Sequence, residues 1–514
     1  MSIGARRLQR AKKAGASPDT SFPEWVPGVY YIWGNNTDVF NMTDYVRAGQ
    51  VVMNWDDIQT SRSTFSWTGV DNKIRNYTDR GMPVVLQINS SNKPTWIYSV
   101  SGGAIHKCGT YETDRFSWDI PHFWGPSKAL YLTLMQEMLQ GIADHIATSP
   151  FRDKILGIRA APNLIGTEQY DLDPPASRGT VDITNPSCDY ETSWNINVSK
   201  QVYEDVMRLY NPIFLPAGIR PILRSLLFAS LNTSAALRTE LLGMDKGWTF
   251  GTNGTPDSSL TAVDTFFTDM CVSGRTRGYY EAFRENTFYD HPLSWAYWRQ
   301  LLELGRGISY IATYSEDLKG ALPGAPDQAE YRATFDFSNK YAGTQHLPAS
   351  APGAFIAFRP KIHTGDTYAN YDSLISLRNA DGTAGGDDST VGLTSNAGAN
   401  IIGPTTQRFG RYARRTDIAS SKTTFYLRLD ANFRASLSGN VAVKVTYLNS
   451  GTANWRLVWS GSSQTITKTN TGRWVTTTVT VPASGLTGGL AASCDLHLVA
   501  TGGDTTFHMV EVER

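Results

Sequence analysis

The chain has 514 residues, of which 41% are hydrophobic and 18% charged, with 47 basic and 47 acidic side chains. Its length predicts two or three domains and its apolar share is enough for a large core. Zero formal net charge argues against nucleic acid or an anionic membrane as partner, and no apolar run approaches the ~20 residues of a membrane span.

Residues 1–26 read as a basic N-terminal arm with Arg6, Arg7, Arg10, Lys12 and Lys13. No hydrophobic stretch follows these charges, so the segment is not a secretory signal. The arm is expected either to be solvated or to lie against a neighbouring subunit. An extracellular, particle-associated or cytoplasmic location all remain open.

From residue 27 to 345, short apolar runs alternate with longer amphipathic ones, the pattern of βα units around a parallel sheet. Strands are predicted over Gly28–Gly34, Gln50–Ile58, Pro83–Asn89, Ile155–Asn163, Arg220–Ala229, Trp248–Gly254, Thr276–Phe283 and Ile308–Asp317. Helices are predicted over Val70–Arg80, Lys128–Ala147, Val202–Leu209, Ala235–Leu242, Leu260–Thr268, Pro292–Gly305 and Gln328–Tyr341. Eight units in about 315 residues fit a (β/α)8 TIM barrel with enlarged loops. The rival, an open doubly wound sheet, normally carries a Gly-rich phosphate turn after its first strand. Here that turn reads GNNTDVF, without the dinucleotide fingerprint.

After Leu347 a Pro/Ala/Ser linker leads into residues rich in Thr, Ser, Val and Gly. Period-two runs at Thr423–Ala431, Val441–Asn449, Trp455–Gly461, Trp474–Pro482 and Asp495–Gly502 predict an all-β sandwich over residues 346–514. The four cysteines, Cys108, Cys188, Cys271 and Cys494, show no metal-ligand spacing. Free thiols are expected. A Cys108–Cys188 disulfide is the alternative, since both fall in long loops on one barrel face.

A barrel of this kind binds its ligand at the C-terminal ends of its strands. Polar residues there are Asn54, Asp56, Asp57, Asn89, Asn163, Glu168, Asn253, Glu281, Glu285, Glu316 and Asp317, with His122 in the third loop. So little histidine argues against a hydrolytic metal centre, and no cofactor is expected. No nucleophile-elbow serine motif occurs. Carboxylates among aromatics remain, the set that glycosidic cleavage requires: one acid beside the leaving oxygen and one nucleophile or base opposite. Glu168, after the fourth strand, and Glu281, near the end of the seventh, are the expected pair. Asn163, Trp55, Trp96, Trp118, Trp124, His122, Tyr280, Tyr314 and Glu316 are the expected substrate contacts, because indole and phenol faces match the C–H face of a pyranose. Arg159 and Arg224 interrupt apolar strands and need partners if buried.

The run VVMNWDDIQTSRSTFSWTGVDNKIRNYTDRGMPVVLQI resembles the second-to-third unit of clan A retaining glycoside hydrolases of the β-galactosidase and agarase kind. The resemblance extends over roughly residues 27–345 and implies Glu168 as acid/base and Glu281 as nucleophile. One departure stands out. That clan's fourth strand ends in adjacent Asn-Glu, whereas here LIGT separates Asn163 from Glu168. Either a remodelled loop still brings Glu168 to the site, or another residue is the acid. The C-terminal region resembles accessory domains behind polysaccharide hydrolases, which bind glycan or brace the enzyme. A polysaccharide or glycan is therefore the expected partner. The alternative is a glycan-binding structural component of a larger assembly, such as a virion surface or tail protein, contacting its neighbours through the basic arm.

Overall fold

A computed structural model describes residues 26–160 (except 33, 35–36, 42–43, 91, 101, 103, 113–116 and 124), 179–181, 196–224, 249–253, 277–281, 292–359, 370–393 (except 387) and 412–514. Eight parallel strands close into a barrel: β1 (Gly28–Tyr31), β2 (Ala48–Asn54), β3 (Val84–Asn89), β4 (Ile155–Ala160), β5 (Arg220–Arg224), β6 (Thr249–Asn253), β7 (Arg277–Glu281) and β8 (Ile308–Thr313). Each pairs with its neighbours in chain order, and β8 returns to β1, where the Ile32 amide donates to the Thr313 carbonyl at 3.1 Å. All eight overlap the segments predicted from the sequence. The described helices are α1 (Thr68–Thr78), α2 (Lys128–Thr148), α3 (Ile196–Phe214), α4 (Pro292–Gly305) and α5 (Gln328–Tyr341), besides short single turns. The helices expected at 235–242 and 260–268, and the basic arm, lie outside the described residues. No described helix is long and apolar enough to cross a membrane.

Two strands stop earlier than their apolar patterns suggest. β2 ends at Asn54 and gives way to a single turn, Trp55–Ile58, while β8 ends at Thr313 before the turn Ser315–Leu318. Both turns carry paired acids in their first residues, Asp56 and Asp57 in one and Glu316 and Asp317 in the other. Carboxylates there complement the exposed N–H groups of a helix start, so the residues that look like strand ends begin the loops instead.

The inner faces of the helices follow the 3.6-residue period. On α1 the buried residues are Val70, Ile74 and Tyr77. Tyr77 lies over Gly49 of β2, where an added Cβ would fall 1.9 Å from the Tyr77 ring. The same ring packs edge-on against Phe40 at 4.8 Å and Tyr31 at 6.1 Å.

Twelve further strands are described after the barrel: β9 (Gly353–Ala357), β10 (Tyr371–Ser373), β11 (Ile375–Arg378), β12 (Val391–Leu393), β13 (Ala413–Arg415), β14 (Thr424–Leu429), β15 (Asn440–Asn449), β16 (Asn454–Trp459), β17 (Ser462–Ile466), β18 (Arg473–Pro482), β19 (Leu496–Thr501) and β20 (Thr506–Glu513). They form a seven-stranded sheet, running β10-β9-β20-β13-β12 with β15 and β18 joined beside β20, and a five-stranded sheet, β11-β14-β19-β16-β17. Their facing sides share one core, including Ile356, Phe425, Leu427, Val443, Trp455, Leu498, Phe507 and Val510. This is the expected β-sandwich. By residue contacts the chain divides into two units, Met1–Asn253 with Arg275–Glu281 and Ala312–Ser315, and Gly254–Gly274 with Ala282–Ile311 and Glu316–Arg514. Helices α4 and α5 thus belong with the sandwich.

The contact between Gly49 and Tyr77 leaves no room for a methyl group. Gly49→Ala is expected to destabilise the protein by about 1–3 kcal/mol through overpacking, with the lowered Tm read by circular dichroism. Combining it with Tyr77→Leu should recover part of that loss, whereas Tyr77→Phe, which keeps the ring, should recover none.

Candidate functional site

Because Gly49 faces Tyr77 on the outside of the barrel, strand alternation turns Gln50, Val52 and Asn54 toward the inside. The interior is polar on this side. Gln50 Nε2 donates to Gln87 Oε1, and Arg159 Nη1 donates to the same oxygen at 2.9 Å. All three residues are buried. The hydrogen bond to the amide offsets part of the cost of enclosing the Arg159 guanidinium.

Register carries this row around the sheet. Val52 pairs with Gln87, Gln87 with Arg159, Arg159 with Ile222, Ile222 with Thr249 and Thr249 with Arg277. Two residues further along lies a second row, in which Asn54 pairs with Asn89; four residues along, at the strand ends, Asn253 pairs with Glu281. Glu281 is therefore the last residue of β7 and has the parity of the inward row, while Tyr280, paired with Thr252, has the opposite parity. Asn54 Nδ2 donates to Asp57 Oδ2 at 2.9 Å, which ties the mouth of β2 to the turn that follows it.

The expected aromatic contacts divide. Trp55 has no exposed surface; its indole N–H donates to Gln59 Oε1 at 2.7 Å, and its ring packs against Trp96 and Tyr131 at 6.4 and 6.3 Å. In this position it builds the loop core and presents no face to a sugar. Trp96 is half-buried and donates to the Gln59 carbonyl at 2.8 Å. Tyr314 is 7% exposed just past β8, and Glu316 sits in the first turn of Ser315–Leu318. Trp118 lies in the strand Ser117–Pro121. Glu168, Asn163 and Trp124 fall outside the described residues.

His122 is a loop-anchoring residue. It is 6% exposed, and its Nδ1 is 2.8 Å from the Ser127 hydroxyl, which itself donates to the Ala104 carbonyl. Nδ1 thus carries the proton and donates to Ser127. Burial, and then the His106 ring 4.8 Å away, lower its pKa.

The loops after β3 and β4 are joined by a small antiparallel sheet. Lys107–Glu112 pairs with Ser117–Pro121, and also with Gly179–Val181 from the following loop. Ala160 and Gly179, the described residues on either side of the stretch containing Glu168, belong to β4 and to this sheet. Cys108, at the start of the sheet, is disulfide-bonded, which corrects the expectation of free thiols. Its partner lies outside the described residues, and Cys494 is free and buried. The sequence left such a bond as the alternative, from the placement of Cys108 in a long loop.

Lys93, four residues beyond β3, was not singled out from the sequence. It is 6% exposed, and burial pushes its ammonium pKa down to about 7, with the Asp119 carboxylate opposing the shift. Asp119 also pairs with Lys107 at 2.6 Å. The available signal was a lone lysine in the NSSNKPTW run directly after an apolar strand. Among the described residues no three His, Cys, Asp or Glu side chains are grouped to hold a metal ion.

The solved structures to which this chain is similar include the catalytic domain of β-amylase from Paenibacillus polymyxa, at 10% identity over 64% of this chain and 100% of that one, with a TM-score of 0.39. A β-galactosidase from the psychrophilic Marinomonas ef1 aligns at 10% identity over 61% of this chain and 59% of that one, with a TM-score of 0.36. A family 39 glycoside hydrolase from Bacteroides cellulosilyticus WH2 aligns at 9% identity over 94% and 81% of the respective chains, again with a TM-score of 0.36. This chain spans less than two thirds of the β-galactosidase. The barrel itself is established by strand order and register rather than by these alignments. No family model and no curated protein matches the chain.

A buried lysine with a depressed pKa leaves a signature in the stability profile. The folded protein prefers neutral Lys93, so stability should rise as pH increases from about 7 toward the unfolded lysine value near 10.4, by no more than about 5 kcal/mol. In Lys93→Met this rise should be missing when Tm is measured across that range. A profile identical to that of the wild type would show that Lys93 is charged in the folded state.

Proposed function

We propose that the chain is a glycoside hydrolase that cleaves a polysaccharide with retention of configuration, with Glu281 as nucleophile and Glu168 as acid/base. The observation that carries this reading is the position of Glu281: the terminal residue of the seventh strand in a closed eight-stranded parallel barrel, on the inward parity. In such barrels the reacting groups stand at the strand C-termini. Further support comes from the amides of Asn54 and Asn89 in neighbouring register at the ends of β2 and β3, groups able both to donate to and to accept from sugar hydroxyls.

In the proposed reaction, a Glu281 carboxylate oxygen attacks the anomeric carbon as Glu168 protonates the departing glycosidic oxygen. A covalent glycosyl-enzyme forms and the leaving chain departs as an alcohol. Glu168, now ionised, then takes a proton from water, whose oxygen displaces Glu281 and restores the original configuration. The sequence around Glu168 differs from an adjacent Asn-Glu strand end, and it lies between Ala160 of β4 and Gly179 of the small antiparallel sheet. Asn163, Trp96, Trp118, Trp124, Tyr314 and Glu316 are the proposed sugar contacts; Tyr280, on the outward parity of β7, is not among them.

Reducing-end release should be screened on algal, bacterial and plant polysaccharides, and the product anomer followed by NMR. Glu281→Gln is expected to retain the wild-type circular dichroism and to lose about a thousandfold or more in turnover. Wild-type turnover by that variant would remove Glu281 from the mechanism. Glycan binding by the wild type without any cleavage would favour the structural-component reading instead.

A further inference from the structure

In β15 the burial pattern alternates strictly, with exposed or half-buried residues between Val441, Val443, Val445 and Tyr447. That is a strand covered on one face. In β9 every residue from Gly353 to Ala357 is buried, which requires cover on both faces. Ala354 and Ile356 enter the sandwich core, as do Val510 and Val512 of the adjacent β20. The opposite faces of these strands carry Phe355, Glu511 and Glu513, and helices α4 and α5 supply their cover.

The contacts are specific. Phe355 meets Phe337 and Tyr341 of α5 edge-on, each at 5.0 Å. Lys340 Nζ pairs with Glu511 at 2.8 Å and also with Glu513, which Lys444 of β15 reaches at 2.6 Å. Tyr341 Oη donates to Glu511 Oε1 at 2.5 Å. Burial alone would raise the Glu513 pKa, but its bonds with Lys340 and Lys444 hold it well below the usual carboxylate range.

Helix α4 makes a second set. His508 Nδ1 donates to the Tyr412 carbonyl at 2.9 Å, which leaves Nε2 to accept from the Tyr297 hydroxyl at 2.6 Å. Trp298 lies against Tyr412, His508 and Tyr371 at 4.8, 5.3 and 6.0 Å. Gly305 ends the helix so close to β10 that a Cβ there would be 2.9 Å from the Asp372 carbonyl. Aromatic packing, two ion pairs and glycine-sized clearance therefore coincide on one sheet face. Among the described residues the exposed large hydrophobics are Val26, Val100 and Leu347, none of them in a sandwich strand, and the sandwich tryptophans, Trp455, Trp459 and Trp474, are buried.

We propose that α4, α5 and the sandwich fold and open as one cooperative unit, so that the sandwich is integral to these two helices and not a separable sugar-binding module. The cut expected near residue 346 then divides one folding unit rather than two domains.

Hydrogen exchange of the full-length protein, read by mass spectrometry, tests this. Trp455 lies in the sandwich core, packed against Tyr447 and Phe507 and away from the helices. Trp455→Ala should therefore weaken the sandwich without touching the joint. A shared unit requires the amides of α4 and α5 to lose protection by the same factor as those of β9 and β20, roughly a hundredfold or more. Should that variant fail to fold, Tyr297→Phe removes a single hydrogen bond at the joint, and the smaller loss must again appear equally in α4, β9 and β20. Faster exchange confined to the sandwich strands, with α4 and α5 at wild-type rates, would overturn the proposal. So would a loss confined to α4 in Tyr297→Phe.

Discussion

A parallel sheet closed on itself gives each strand residue two directions, into the barrel or out toward the helices, and pairing transmits that choice from strand to strand. Here a single close contact sets the phase. Tyr77 occupies the space where Gly49 would carry a Cβ, so Gly49 faces outward and its neighbours face in. From that point register passes the inward parity through Gln87, Arg159, Ile222 and Thr249 to Arg277, and so to Glu281 at the end of β7. A slip of one residue anywhere along this ladder would reverse the parity of Glu281, and a slip in the pairing of β2 with β3 or of β3 with β4 would also turn Arg159 toward the helix layer.

The interior defined in this way is polar low in the barrel and amide-rich at its rim. Gln50 and Gln87 join Arg159 in a buried hydrogen-bonded group, a high-cost arrangement unless its members satisfy one another. The loops above are ordered by their own core. Trp55, Trp96, Tyr131 and Phe123 pack together, His122 and Ser127 bond beneath them, and the small sheet at 107–121 and 179–181 joins consecutive loops. Residues that look like ligand platforms by composition thus do the work of holding the platform's frame.

The second unit illustrates how one sheet serves two cores. Its inner face closes the sandwich, and its outer face near β9 and β20 takes two helices that follow barrel strands in the chain. Several buried charges in this region are paired. Glu303 of α4 pairs with Arg299 at 2.6 Å and with Arg306, just past the helix, at 3.1 Å, and Arg434 meets the buried Asp495 at 3.3 Å. Removing one partner of any of these would leave an uncompensated buried charge, a strongly destabilising change.

The sequence by itself determined the element inventory wherever burial imposes a local period. Barrel strands covered on both faces read as continuous apolar runs, and α5 was legible to its terminal residues because a one-sided helix repeats every three or four positions; α4, buried all round from Trp298 to Leu304, was legible from the Pro292 and Gly305 that bound it. The one-faced sandwich strands β14, β15, β16, β18 and β19 alternated and were equally readable. In contrast, β9 was missed: its GAFIA run has no alternation, since cover on its second face comes from α5. The seventh-strand carboxylate was legible as a position, because strand ends in a barrel mark its mouth. Only the tertiary structure decided that Trp55 is walled in, that Lys93 is buried beside Asp119, that Cys108 is oxidised, and that α4 and α5 belong with the sandwich. Each of these depends on segments tens to hundreds of residues apart being brought into contact, and no local period or spacing records which distant side chain will occupy the space beside a given residue.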